Sequence, residues 1–209
     1  MDQPVDPPNS LSFTDRLRQI FKGLLDPIGA FLNRQGIAPN TVTLLGLAGH
    51  IGAAALLVLG KISWAGVVVL LMGPLDALDG TMARLRGETS RFGGFLDSVI
   101  DRYAELILLG GLLVYYAQQA LWLPVALAFI AAAGSTMVSY TRARGEALGF
   151  TVKVGILTRV ERYIVIIICL LFNIPLVALW ILAIFTNITA IQRILAVYRQ
   201  AREQNDLLG

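Results

Sequence analysis

The chain has 209 residues, of which 56% are hydrophobic and only 15% charged, with a net charge of +3 and a mean hydropathy of +0.69. Soluble domains carry about 25% charged residues, so this composition describes an integral membrane protein in one compact domain and excludes a soluble globular enzyme. The single cysteine, Cys169, rules out an internal disulfide and sits in an apolar run suited to membrane packing. The lone histidine, His50, also lies in an apolar run, as a helix-contact residue does. No zinc-ligand spacing, P-loop or dinucleotide fingerprint is present, and no nucleic-acid partner is expected.

Residues 1–10 form a polar, proline-rich leader without the basic-then-apolar order of a cleavable signal peptide. Residues 11–36 follow as an amphipathic juxtamembrane helix. Phe13, Leu17, Ile20, Phe21, Leu24, Ile28, Phe31 and Leu32 recur at helical spacing, and Arg16, Arg18, Lys22 and Arg34 fill other positions. Ser12 and Asp15 suit a capping box. Basic residues on such a helix suit a membrane surface bearing anionic lipid. The segment 36–39 breaks this helix, and Asn40 is the expected N-cap of the next, with Thr41 and Thr43 in its first turn.

Residues 37–202 hold six apolar runs, expected to span at about 41–60, 62–78, 92–117, 121–141, 159–172 and 176–197. The fifth looks short because its first turn is charged. Arg84, Arg86 and Arg91 are expected in the connection between the second and third runs, and Arg142 and Arg144 in a polar loop after the fourth. A charged tail, 203–209, closes the chain. With alternating crossings, one side holds every lysine and arginine except Lys61. The positive-inside rule then places both termini and the active face in the cytoplasm, in the cell membrane. The expected fold is therefore all-α: six transmembrane helices plus an N-terminal amphipathic interfacial helix.

Four carboxylates gather at that face in two pairs, Asp76 with Asp79 and Asp97 with Asp101. Spacings of three and four put each pair on one face of a helix, about a turn apart. An antiparallel hairpin of the second and third runs would bring the pairs face to face. Charges next to a membrane core need neutralising, and all-oxygen donors favour Mg²⁺, Mn²⁺ or Ca²⁺. Such ions bridge the charged oxygens of diphosphates. Gly80 and Ala83 remove bulk beside the first pair, Gly93 does so one turn before Asp97, and Arg84 offers a planar fork for phosphate oxygens.

Asp76-x2-Asp79-Gly80-x2-Ala83-Arg84-x8-Gly93-x3-Asp97-x3-Asp101 resembles the signature of the CDP-alcohol phosphotransferases at all eight of its positions. The resemblance extends over the six-span layout. It implies displacement of CMP from a CDP-linked lipid by an alcohol, with Mg²⁺ or Mn²⁺, two ions in all, held by Asp76, Asp79, Asp97 and Asp101. Asp101 is implied as the general base. The implied CDP-lipid site comprises Asn40, Thr43, Asp79, Gly80, Ala83, Arg84, Ser90 and Gly93. A homodimer is also implied.

Arginines later in the chain bear on the acceptor. Arg162 and Arg193 are flanked by apolar residues, where an arginine needs a partner or a water-filled cavity. Several arginines near a metal site suggest a phosphorylated alcohol. The segments 139–146 and 155–162, together with Gln192-Arg193, resemble the branch that makes phosphatidylinositol phosphate from inositol 3-phosphate. That resemblance implies Arg142, Arg159 and Arg193 as acceptor-phosphate ligands, and Arg162 completes the candidate set. Glycerol 3-phosphate is the competing acceptor. An ion transporter would place its carboxylates near the midplane, and an aromatic prenyltransferase would hold its two Asp motifs far apart in sequence.

Overall fold

The computed structural model describes residues 25–87 and 90–204. The polar leader, the Ser12–Asp15 cap, the start of the amphipathic helix and the last five residues of the tail lie outside the described residues. Within them the chain is all-helical. Residues 25–34 are helical (α1), followed by α2 (Pro39–Val58), α3 (Ile62–Arg86), α4 (Arg91–Gln118), α5 (Trp122–Ala147), α6 (Arg159–Leu171) and α7 (Pro175–Glu203). By length and composition, α2, α3, α5 and α7 can each cross a membrane. In α4 the apolar run shares its first half with Asp97, Asp101, Arg102 and Glu105, and α6 has only 13 residues.

Several boundaries differ from the sequence expectation for identifiable reasons. Asn40 is not the N-cap of α2. The cap is Ala38, and Pro39 takes the first helical position, where its fixed φ suits the helix and its missing N–H is no loss. α3 does not stop near Leu78. Helix formers such as Met82, Ala83 and Leu85 continue it to Arg86, and Gly87 ends it in the left-handed conformation at φ 67°. Arg84 and Arg86 therefore stand on the helix rather than in a connection, and α3 also runs through Pro74. Likewise α5 extends to Ala147, so Arg142 and Arg144 are helical rather than in a loop. Ser90 caps α4, its hydroxyl accepting from the Gly93 amide at 2.9 Å.

α2 packs against both α3 and α4, α4 packs on α5, α5 on α7, and α3 on α6. α3 and α4 are thus not a closely packed hairpin; α2 lies against both. Glycine explains some of the close approaches. A Cβ at Gly66 of α3 would meet the Leu171 amide nitrogen at 2.8 Å, and one at Gly111 of α4 would meet Ala54 backbone at 3.0 Å. The main core joins Leu57, Val69, Leu108, Leu112, Ala128, Ile166, Leu170, Leu179 and Leu182 across six helices. It lies toward the turns near residues 60, 120 and 173. The outer faces carry exposed large apolar side chains such as Trp64, Leu71, Trp122, Phe129 and Phe172, as suits a bundle surrounded by lipid.

At the carboxylate end a smaller core of Leu25, Val42, Leu78 and Met82 seats α1. A clasp fixes it there: Asn33 donates to the Met82 carbonyl at 3.1 Å, while Arg86 donates to Asn33 Oδ1 at 2.7 Å and to the Ile37 carbonyl at 2.6 Å. The irregular segment 149–158 is tied to α7. Gln200 pairs with the Thr151 amide at 2.9 Å and its carbonyl at 2.8 Å, and the Leu157 amide donates to Thr189 Oγ1 at 3.1 Å.

Candidate active site

α3 presents Asp76 and Asp79 one turn apart, and α4 presents Asp97 and Asp101 one turn apart. α2 supplies Thr43, Gly46 and His50 between them, and α6 supplies Arg159, Arg162 and Tyr163. Asp79 and Asp101 are buried, while Asp76 and Asp97 are half-buried. Both oxygens of Asp79 are held by neutral donors: Thr43 Oγ1 donates to Oδ2 at 2.5 Å and the Gly80 amide to Oδ1 at 2.5 Å. This fixes the carboxylate without consuming its charge. A Cβ at Gly46 would stand 3.3 Å from Asp76 Oδ1, so the glycine leaves that oxygen room.

The two helices' carboxylates meet at Arg159. Its Nη2 donates to Asp76 Oδ2 at 2.7 Å and also pairs with Asp101 Oδ1. Two oxygens from separate helices therefore converge on one cationic point. Among the described residues, no three metal-ligating side chains close into a ready-made cluster. The guanidinium supplies the positive charge that the sequence pattern demands. The donor set nevertheless fits a hard divalent ion, because it consists of carboxylate oxygens converging from two helices. Asp76, Asp79, Asp97 and Asp101 are the residues that would hold one.

Arg159 rests on a built platform. Its guanidinium lies 5.5 Å from the centre of the Tyr163 ring. Tyr163 meets His50 edge-on at 5.8 Å, its hydroxyl lies 3.4 Å from His50 Nε2, and His50 Nδ1 is 2.7 Å from the Gly46 carbonyl oxygen. His50 is wholly buried, so it is a helix-contact residue as its apolar surroundings suggest, but its contact backs the site.

The remaining candidates are placed as follows. Gly80 and Ala83 stand on α3 beside the carboxylates, and Arg84, exposed, donates to Thr81 Oγ1 at 2.9 Å. Asn40 approaches Gly93, whose added Cβ would lie 3.6 Å from Asn40 Oδ1, and Ser90 is the α4 cap beside them. Arg142 is half exposed and pairs with Glu146 one turn on, at 2.8 Å. Arg193 is buried; it donates to the Val154 carbonyl at 3.0 Å and to the Val138 carbonyl, tying the 149–158 segment to α5.

Arg162 is buried and engaged with protein partners. It is 1% exposed, its Nε and Nη2 donate to the two oxygens of Glu105 at 2.6 and 2.9 Å, and its Nη1 donates to the Leu157 carbonyl at 3.3 Å. This bidentate pair and the Tyr163–His50 platform were not singled out from sequence. A signal existed for the pair: Glu105 stands four residues after Asp101 and Arg162 three after Arg159, so each shares a helix face with a candidate site residue.

Residues 36–192 match the sequence model of the CDP-alcohol phosphatidyltransferase family. The chain is 39% identical over 204 residues to a phosphatidylinositol phosphate synthase of Streptomyces avermitilis, covering 89% of this chain and 82% of that one. It is 38% identical over 185 residues to an archaetidylinositol phosphate synthase of Pyrococcus horikoshii, covering 86% and 93%. Among solved structures it is similar to the phosphatidylinositol phosphate synthase of Mycobacterium tuberculosis with CDP-DAG bound, at 33% identity and a TM-score of 0.78, over 83% of this chain and 93% of that one. The same enzyme in complex with manganese and citrate matches at 32% identity and a TM-score of 0.77, over 83% and 88%.

Proposed function

Since the chain belongs to the CDP-alcohol phosphatidyltransferase family, we propose that it moves the phosphatidyl group of a CDP-linked lipid, such as CDP-diacylglycerol, onto inositol 3-phosphate, releasing CMP and phosphatidylinositol phosphate. The observation that supports this most is the meeting of Asp76 and Asp101 at Arg159. A carboxylate of each motif pair thus stands beside a guanidinium, a group suited to bind phosphate, as a meeting of donor diphosphate and acceptor phosphate would require. The relatives named as phosphatidylinositol phosphate and archaetidylinositol phosphate synthases favour inositol 3-phosphate over glycerol 3-phosphate.

Asp76, Asp79, Asp97 and Asp101 hold divalent metal, Mg²⁺ or Mn²⁺, as two ions. When bound, these ions neutralise the diphosphate and the charge that develops on departing CMP. Thr43 and the Gly80 amide keep Asp79 aimed. Gly80, Ala83 and Gly93 admit the CDP moiety, and Asn40, Ser90 and Arg84 line its approach. Asp101 takes the proton of the acceptor hydroxyl. As the hydroxyl oxygen bonds to the lipid-linked phosphorus, that phosphorus loses its bond to the bridging oxygen, which leaves with its electron pair on CMP. Arg142, Arg159 and Arg193 bind the acceptor phosphate, while Arg162 is reserved for positioning. In-line alignment of the hydroxyl, with electrostatic stabilisation, carries transfers of this kind.

The six helices α2–α7 cross the cell membrane with both termini and the Asp cluster at the cytoplasmic face, supported by the arginine distribution. The N-terminal helix lies along the interface; on its described part Ile28 and Phe31 are exposed. Residues 37–202 form the catalytic unit, which works as a homodimer. The test supplies purified protein with Mn²⁺, CDP-diacylglycerol and, separately, inositol 3-phosphate, glycerol 3-phosphate, inositol or serine, and follows CMP. Release is expected with inositol 3-phosphate. Release with glycerol 3-phosphate alone would overturn the acceptor, and release with none would overturn the transferase reading.

A further inference from the structure

Two arginines on consecutive turns of α6 face two carboxylates on consecutive turns of α4. They are not equivalent. Arg162 meets Glu105 as a closed fork, with side-chain exposures of 2% and 5%. Arg159 meets Asp101 and Asp76 through a single nitrogen, and its side chain is 39% exposed. α4 and α6 are linked here through long side chains rather than closely packed backbones. The inner pair therefore fixes α6 against α4, and the outer arginine can move without disturbing it.

The position of the Arg159 nitrogen is the significant point. Mg²⁺ seats about 2.0–2.1 Å from its oxygen ligands. An ion and a guanidinium nitrogen cannot both lie between Asp76 Oδ2 and Asp101 Oδ1. An ion seated between those two oxygens would therefore displace Arg159 from at least one of its two partners. A part-buried guanidinium without its anion is costly, so it needs another. Tyr163, braced by His50, keeps an aromatic face beside the guanidinium itself while its nitrogens change partners. The proposed reaction brings one new anion to this spot: the acceptor's phosphate.

Building on the transferase reading above, we infer that Arg159 is a tethered counter-ion that exchanges partners. It neutralises Asp76 and Asp101 until divalent metal takes their oxygens, and its guanidinium then turns to the acceptor phosphate. Metal and acceptor binding are thereby coupled positively through one side chain, and by linkage each tightens the other to the same degree. Arg159 also marks the order of events. It holds the carboxylates apart from one another's repulsion before the metal arrives, and it offers its full phosphate-binding capacity only afterwards.

The test is Mn²⁺ affinity, read by electron paramagnetic resonance on the full chain in detergent, without donor lipid. Arg159→Gln removes the competitor and should tighten Mn²⁺ binding by roughly 5- to 150-fold, the range of typical couplings. Arg102→Gln is the charge control: Arg102 adjoins Asp101 in sequence but donates to the Ser98 carbonyl. It should tighten Mn²⁺ much less. Saturating inositol 3-phosphate should tighten Mn²⁺ binding in the wild type and not in Arg159→Gln. Arg159→Lys, which keeps a charge but loses the fork, should fall between, and it serves if the glutamine variant folds poorly. Equal tightening by Arg159→Gln and Arg102→Gln would overturn the exchange, as would an acceptor effect that survives in Arg159→Gln. These outcomes are separate from the transferase reading, which fails only if CMP release is absent while Mn²⁺ still binds.

Discussion

Glu105→Gln is the sharpest test of how α6 is held. The substitution preserves shape and removes one charge. In the native arrangement both carboxylate oxygens accept from Arg162, at 2.6 and 2.9 Å, and neither side chain is more than 5% exposed. Screening by water is therefore slight. Breaking such a pair costs about 3–5 kcal/mol, mostly the penalty of leaving one charge buried without its partner. An amide keeps one acceptor oxygen, so the lower end, about 3 kcal/mol, is expected. For a chain of this size that corresponds to a melting shift of roughly 6–12 °C. Tryptophan fluorescence on protein in detergent reads it. The double variant Glu105→Met with Arg162→Leu removes both charges and should recover most of the loss. A loss below about 1 kcal/mol for the single variant, or a double variant no better than the single, would refute the view that the cost lies in the orphaned charge.

Asp101→Asn should abolish turnover while CDP-lipid binding, followed by protection from thermal unfolding, is largely retained; full activity would remove Asp101 from the base role. Gly66→Ala forces a methyl to within 2.8 Å of the Leu171 amide nitrogen, so α3 and α6 must part. The expected cost is about 1–3 kcal/mol, visible as a lowered melting temperature. Gln200→Ala removes both bonds to the Thr151 backbone. Amide exchange across residues 150–157 should rise and the acceptor KM should increase, while global melting changes little, because these bonds are exposed and local.

The four carboxylates could be read from sequence because their spacing is a helical spacing, and charge beside apolar runs has few uses. Turn positions were readable too: Gly60, Ala120 and Asn173 all adopt positive φ where the apolar runs break. What the pattern could not provide was contact between elements. Apolar periodicity says that α3 and α4 are buried somewhere, not that α2 lies against both of them. Helix ends past Leu78 and Thr141 are not legible, because charge beside an apolar run reads as the end of a helix, whereas Arg84 and Arg142 continue one. The fate of the arginines was least legible. Arg159 and Arg162 lie one turn apart with similar neighbours, yet one is locked to Glu105 and the other bridges the two aspartate pairs. Only the placement of α6 against α4 separates them.

That separation bears on the two ends of the proposed site. In the proposed reaction the donor end would rest on Asp79, Thr43 and the glycines of α3 and α4, and the acceptor end on Arg142, Arg159 and Arg193. Asp76 and Asp101 stand at the junction. The measurement that tests this most directly is the identity of the lipid product. Purified protein with Mn²⁺, CDP-diacylglycerol and inositol 3-phosphate should yield phosphatidylinositol phosphate by mass spectrometry, equimolar with CMP. CMP released with phosphatidic acid as the lipid product, or no new phospholipid at all, would contradict the account.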